Sequence, residues 1–359
     1  MSKNIFVGLS GGVDSSLSAA LLRDKGYNVS GVYMKNWSQD LPGMKCPWQQ
    51  DYTDAKRVAV QLGIPFFMYD FEKEYRHLVV DYMLNAYKSG LTPNPDIMCN
   101  QEIKFGLFLA TALRNNADYI ATGHYARVIK SKNGNIESYG LYEAVDKDKD
   151  QSYFLYRINR ELLPKVIMPI GELSSKKVVR KLASDYKLVT ADKKDSQGIC
   201  FVGEVGIKDF LQATLGTQKP GKVLDQNGRV VGEHEGAIFY TIGQRHGLKL
   251  GGGLPYYVTF KNMDKNEVYV TTDLGDRHLW SHDINITSLH WLVDDIKLRQ
   301  TADNLSVRAR YRATKVPCSL TIKHQSATLK LQTEIRAVTP GQSAVIYQGE
   351  QVLGGGIIC

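Results

Sequence analysis

Apolar residues in the first third of the chain arrive in two alternating rhythms. Short apolar runs, IFVGL (5–9), NVSGVYM (28–34), IPFFMYD (64–70) and DYIATGHYA (118–126), predict buried strands. Between them the spacing turns helical. Leu17, Ala20 and Leu21 fall on one face with Gly26 placed to end the helix, and 51–63 predicts a second helix closed by glycine. Residues 71–90 and roughly 100–114 continue the series. Strands alternating with helices predict right-handed crossovers and a parallel sheet covered on both faces. A further helix near 174–187 is expected to end this half, with linking loop around 190–205.

The rhythm changes from about residue 206. Short β-patterned runs follow one another: VLDQNGRVV (223–231) with Asn-Gly at its tip, AIFYTIG (237–243), LPYYVTF (254–260) and EVYVTT (267–272). A last β-rich stretch runs from about 282 to the end. The predicted organisation is an α/β domain with a parallel sheet over 1–205, a small mostly β module over 206–275, and a C-terminal β-barrel domain over 276–359. No internal repeat or low-complexity tract interrupts it.

Composition narrows the class without naming it. A length of 359 residues suits two or three cores, and 43% hydrophobic with 23% charged residues is ordinary globular usage. No apolar stretch approaches a membrane span, and MSKNIFVGL enters a strand pattern with no signal or transit peptide, so a cytoplasmic protein is expected. A net charge of +8 permits an anionic macromolecular partner without requiring one. The five cysteines are odd in number, widely spaced and never in CxxC spacing, which argues against a disulfide scaffold or a zinc ribbon; no metal ligand set is expected. A cysteine that matters here is therefore a reactive one.

The strongest chemical signal is GLSGGVDSS (8–16), between the first strand and the first helix. Gly11 and Gly12 let backbone approach an anion, Ser10, Ser15 and Ser16 supply hydroxyls, and the helix N-terminus supplies amides. Neither GxxxxGK[ST] nor GxGxxG is present, so no lysine in the loop can hold β- and γ-phosphates. Such a loop suits the grip of a pyrophosphate group, with Asp14 available to orient Mg2+. A plain strand-to-helix turn is the alternative.

Two cysteines occupy loop contexts. Cys99 follows a proline-rich stretch, LTPNPDIM, at the entrance of the predicted helix, whose cap is Cys99 or Asn100; a helix N-terminus lowers a thiol pKa. Cys200 lies in KKDSQGICFVGE (193–204), with Lys193 and Lys194 near enough in sequence to favour a thiolate. Either could equally be a small buried apolar residue. Together they permit sulfur transfer, one carrying a persulfide and the other completing release by forming a disulfide. Cys46, Cys318 and Cys359 have no comparable setting. In VRARYRATK (307–315), Arg308, Arg310 and Arg312 would share one face of a strand with Tyr311 on the other, a spacing matched to a phosphate backbone or to an ordinary solvated strand.

SGGVDSS resembles the PP-loop of the ATP pyrophosphatase superfamily. With NPDIMCN (94–100), ATGHYAR (121–127), KDQSYFL (149–155), DSQGICFVG (195–203), YTIGQRHGL (240–248) and GGGLPYYV (251–258), the whole chain resembles the MnmA family of bacterial tRNA-specific 2-thiouridylases. That resemblance implies adenylation by ATP of the C2 oxygen of the wobble uridine in tRNAs of the lysine, glutamate and glutamine type. Sulfur from a persulfide then replaces the oxygen, with release of AMP and pyrophosphate. It implies Cys99 as nucleophile, Cys200 as persulfide carrier, a disulfide between the two, and Asp96 as acid or base. Gly8, Leu9, Ser10, Gly11, Gly12, Val13, Asp14, Ser15, Met34 and Gly123 would contact ATP. Asn94, Pro95 and Asp96 would meet the target base, and His124, Lys149, Asp150, Gln151, Ser152, Arg310, Tyr311 and Gln342 would contact tRNA. The implied partners are tRNA and a persulfide donor, either a relay protein or a cysteine desulfurase. An amide-forming ligase and a non-catalytic nucleotide-sensing RNA-binding protein are the competing readings; no glutaminase-like segment supports the first.

Overall fold

The computed structural model of the chain describes residues 2–40, 45–133, 136–195, 206–248, 250–251, 253–294 and 304–359. The apolar runs of the first third become β1 (Asn4–Gly8), β2 (Asn28–Lys35), β3 (Phe66–Asp70) and β4 (Tyr119–Ala121). With β7 (Val166–Ile167) they form a parallel sheet in the order β3-β2-β1-β4-β7. Side chains alternate across it as the period of a strand demands. Phe6 of β1 joins a core with Tyr75 and Phe108, while Ile5 and Val7 join the opposite core with Leu17 and Val58.

The helices lie where their spacing predicts, with shifted ends. They are α1 (Val13–Asp24), α2 (Trp48–Leu62), α3 (72–88), α4 (95–114) and α5 (Lys176–Asp185). Gly63 closes α2 in the left-handed conformation at φ 65°, a backbone that glycine takes without steric cost. The start of α4 corrects the sequence reading. Asn94, not Cys99 or Asn100, caps it, its side chain accepting from the Asp96 amide at 3.1 Å, and Pro95 takes the first helical position.

The second half is β-rich, as expected. A four-stranded sheet joins β8 (Gly221–Leu224), β9 (Val230–His234), β10 (Tyr257–Asn262) and β11 (Glu267–Thr271) in the order β10-β11-β8-β9, after a short helix α6 (Ile207–Leu215). The Asn-Gly tip turns β8 into β9, with Gly228 at φ 74°. AIFYTIG is not a strand: it makes one tight helical turn at Ala237–Phe239 and then loop. The last strands are β12 (Trp280–Trp291), β13 (Leu305–Arg308), β14 (Val316–Lys323), β15 (Ser326–Arg336), β16 (Ser343–Gln348) and β17 (Gln351–Ile358). Pairing of β12 with β17 closes them into a barrel. A hairpin of β5 (Ala126–Asn133) and β6 (Ile136–Glu143), unassigned in the sequence reading, leaves the parallel domain and pairs through β6 with β17. No helix among the described residues is long and apolar enough to cross a membrane.

Candidate active site

β1 continues to β2 on one side of the sheet and has β4 on the other, so the crevice at the carboxyl ends of β1 and β4 is the switch point where open α/β sheets bind ligands. GLSGGVDSS occupies it. The Ser15 hydroxyl accepts from the Ser10 amide at 3.1 Å and donates to the Gly12 carbonyl, while Ser16 also donates to Gly12 O. These bonds fold the loop back on itself and leave α1 without a side-chain cap, so its first amides face the crevice. Leu9 and Val13 are buried, and only their backbone can reach a ligand. Gly11, at φ 75°, lies against α2: a Cβ there would stand 2.4 Å from Asp51 O.

The other residues expected at ATP converge on this loop. A Cβ on Gly8 would touch the Met34 methyl at 2.9 Å, and one on Gly123 would lie 2.6 Å from Ser15 N. Asp14 is engaged: its carboxylate accepts from Lys176 Nζ at 2.7 and 2.8 Å and from the Tyr125 hydroxyl at 2.8 Å. Burial and the Asp14 charge raise the Tyr125 hydroxyl far above its ordinary range, so it remains a neutral donor.

Cys99 is the fifth residue of α4 and is 4% exposed, where a dipole effect confined to the first turn has largely faded. That corrects the helix-entrance argument for its thiolate. The helix widens at Cys99–Phe108 into an i to i+5 turn, a distortion that recurs at functional sites. Burial pushes the Asp96 carboxyl above the ordinary range while Lys104 opposes it. Lys104, absent from the sequence reading, stands 3.4 Å from His124 Nε2. Its signal was available: a cation five residues after the cysteine, one helical turn on. Asn94 and Pro95 are spent on the cap, Pro95 being buried.

His124 is itself buried, its Nδ1 2.8 Å from Thr122 Oγ1 and its ring against Phe105. Burial, with Lys104 adding to it, holds the imidazole well below its usual range. The ring is enclosed between two parts of the site, which leaves little of it to meet the tRNA expected there. Gly123 touches the nucleotide loop and His124, the next residue, touches the cation of the cysteine helix.

The expected RNA contacts divide. Asp150 and Ser152 point inward: Asp150 accepts from the Ala144 amide, the Ser152 hydroxyl and Arg308 at 2.9, 2.9 and 3.0 Å, and Ser152 is fully buried. Lys149 and Gln151 are half-exposed; Lys149 Nζ pairs with Asp195 and Gln151 accepts from the Tyr125 amide. The arginine row does not form. β13 ends at Arg308, which turns in to Glu143 and Asp150, and the chain bends with Arg312 at φ 62°. Arg310 is exposed and donates to Thr339 Oγ1, while Tyr311 packs against Phe154 with centroids 4.3 Å apart and ring planes tilted by 46°. Phe154 O in turn accepts from Asn100, beside Cys99. Gln342 donates to Thr92 O at 2.8 Å, which seats the barrel against the loop preceding α4.

Cys200 lies outside the described residues. Lys193, expected to act on it, donates to Asp51 and Asp54 of α2 at 2.8 and 2.7 Å. Burial pushes the Cys318 thiol up to about 11 and raises Cys46 as well, which suits inert positions.

Comparison with known proteins now decides the family. Residues 3–204 match a model described as the tRNA methyl transferase HUP domain, 208–272 its PRC-barrel domain, and 281–358 an aminomethyltransferase beta-barrel domain. A tRNA-specific 2-thiouridylase MnmA of Bacillus subtilis is 44% identical over 99% of this chain and 94% of that protein. The chain belongs to the tRNA-specific 2-thiouridylase MnmA family. The MnmA protein of Oceanobacillus iheyensis is 45% identical over the same shares. Among solved structures, an NMN synthetase from Francisella tularensis is 18% identical over 61% of this chain and 79% of that one, with a TM-score of 0.37.

Proposed function

We propose that the protein is an ATP-dependent tRNA uridine 2-sulfurtransferase acting in the cytoplasm, with a catalytic unit at 1–205, a small β unit at 206–275 and an RNA-binding barrel at 276–359. The observation that carries this reading is the adjacency of Gly123 and His124, which ties the nucleotide loop to the cysteine helix. In the first step the uridine C2 oxygen attacks the α-phosphorus of ATP. Pyrophosphate leaves with the bond electrons, and Asp96 takes the N3 proton from the uridine. A carboxyl raised by burial suits that exchange. In the second step the terminal sulfur of a Cys200 persulfide attacks C2 and AMP departs. The Cys99 thiolate then attacks Cys200 Sγ, forming the disulfide and leaving sulfur on C2; a thiol reductant resets the pair.

Magnesium fits one position. Asp14 offers a part-exposed carboxylate at the start of α1, and the described residues hold no cluster of three protein ligands, so phosphates and water would complete the shell. The bound ion would neutralise phosphate charge. Arg310, Tyr311, Lys149 and Gln151 are the residues of this reading that meet tRNA; tRNAs of the lysine, glutamate and glutamine type are its substrates, and a relay protein or cysteine desulfurase supplies the persulfide.

The test combines the protein with ATP, magnesium, a persulfide donor and unmodified tRNA. AMP, pyrophosphate and a wobble uridine heavier by the exchange of oxygen for sulfur are expected, and Cys99→Ser should yield no thiolated product while still binding tRNA. Formation of ADP, or full thiolation by the Cys99→Ser variant, would overturn the reading.

A further inference from the structure

The nucleotide loop carries no lysine, yet a lysine stands at its mouth. Lys176 is the first residue of α5, 162 positions from Asp14 in sequence. Its backbone amide donates to Asp146 at 3.0 Å, and Asp146 is itself buried and holds the 146–149 turn through the Asp148 and Lys149 amides. The main chain of Lys176 is therefore fixed. From there the side chain, 14% exposed, crosses the Tyr125 ring at 5.6 Å and sets its ammonium on the Asp14 carboxylate, at the first turn of α1.

The ammonium is shared between two carboxylates. Asp195 receives Lys149 at 3.2 Å, Lys176 at 2.8 Å and Arg180 at 3.0 Å, and Asp14 receives Lys176 alone among these cations. With the buried Asp146 beside the Lys176 amide, three cations face three carboxylates, next to a helix N-terminus that has no side-chain cap. Against the opposing effect of burial, Lys176 and Lys149 hold the Asp195 carboxyl below the ordinary range. An ammonium set beside helix amides that lack a side-chain cap, at the mouth of the nucleotide loop, is a setting for phosphate.

We propose that Lys176 is the pyrophosphate-binding cation of this site. Its ammonium passes from Asp14 to the β- and γ-phosphate oxygens when the nucleotide enters, and stays with pyrophosphate as the bond to the α-phosphorus breaks. The exchange frees Asp14 for a metal ion, and the ammonium keeps its proton throughout. This inference rests on the adenylation proposed above and extends it to a residue far from the loop in sequence.

Calorimetric titration of the full chain with magnesium pyrophosphate, ATP and AMP separates the possibilities. For Lys176→Met, affinity for pyrophosphate and ATP should fall at least about tenfold, since a charge-assisted contact is lost, while AMP affinity stays within about twofold. Lys176→Arg should recover most of the loss. Asp195→Asn removes a partner of Lys176 but leaves its charge, so pyrophosphate should bind as tightly as to the wild type or more tightly. Unchanged pyrophosphate affinity in Lys176→Met, or a parallel fall for AMP, would overturn the proposal. So would a tenfold loss in Asp195→Asn, which marks a strut. A wild-type protein that binds none of the three ligands would overturn the adenylation reading with it, whereas wild-type binding with unaffected variants sinks this proposal alone.

Discussion

Gly123→Ala tests whether the contact between β4 and the nucleotide loop governs ligand binding. The new Cβ would lie 2.6 Å from Ser15 N, 2.8 Å from Asp14 C and 3.0 Å from Ser15 Cα. All three are main-chain atoms of the first turn of α1, so no rotamer change relieves the clash. Restoring an ordinary contact near 3.4 Å requires the turn and the end of β4 to part by about 0.8 Å, on the scale of overpacking that costs about 1–3 kcal/mol. The same shift displaces the amides at the start of α1. Differential scanning fluorimetry and ATP titration should therefore show a lowered Tm together with weakened ATP binding. Gly12→Ala is the control, because its Cβ meets only the Ser10 hydroxyl at 3.5 Å; its Tm should hold. Unchanged Tm and ATP affinity in Gly123→Ala would refute the packing argument.

Three further predictions concern groups removed from the nucleotide. Arg308→Ala leaves Glu143 and Asp150, 3% and 1% exposed in their side chains, without their shared guanidinium, and should lower unfolding free energy in urea by about 3–5 kcal/mol; a loss below about 1 kcal/mol would show that Lys315 and Lys147 suffice. His124 has a folded pKa below its unfolded value, so the unfolded chain takes up more protons as pH falls through the unfolded range near 6.5. Wild-type stability should therefore drop from pH 7.5 to 5.5 more than that of His124→Asn; parallel pH profiles would refute the assignment. Cys318, with its thiol pushed up to about 11, should resist iodoacetamide at pH 7.5 in the folded protein, as read by peptide mass mapping, and its rapid alkylation would contradict the burial.

The sequence by itself determined what local period and local chemistry encode. Apolar runs spaced by helical stretches specified the parallel sheet and its covering helices, and the glycines and serines of 8–16 marked the turn between β1 and α1. The cap of α4 is equally legible, since Asn-Pro-Asp is a strong helix start and lies five residues before Cys99. The arginine row failed for another reason. Alternation holds only while a strand continues, and the chain leaves the ladder after Arg308, where the buried carboxylates of Glu143 and Asp150 draw the guanidinium inward. Only the tertiary structure decided such pairings. Sheet order sets Gly123 against Ser15, the docking of α5 brings Lys176 to Asp14, and the 126–143 hairpin joins the barrel. Each depends on which distant surfaces bury one another, and burial between distant segments leaves no periodic trace in the residues that supply it.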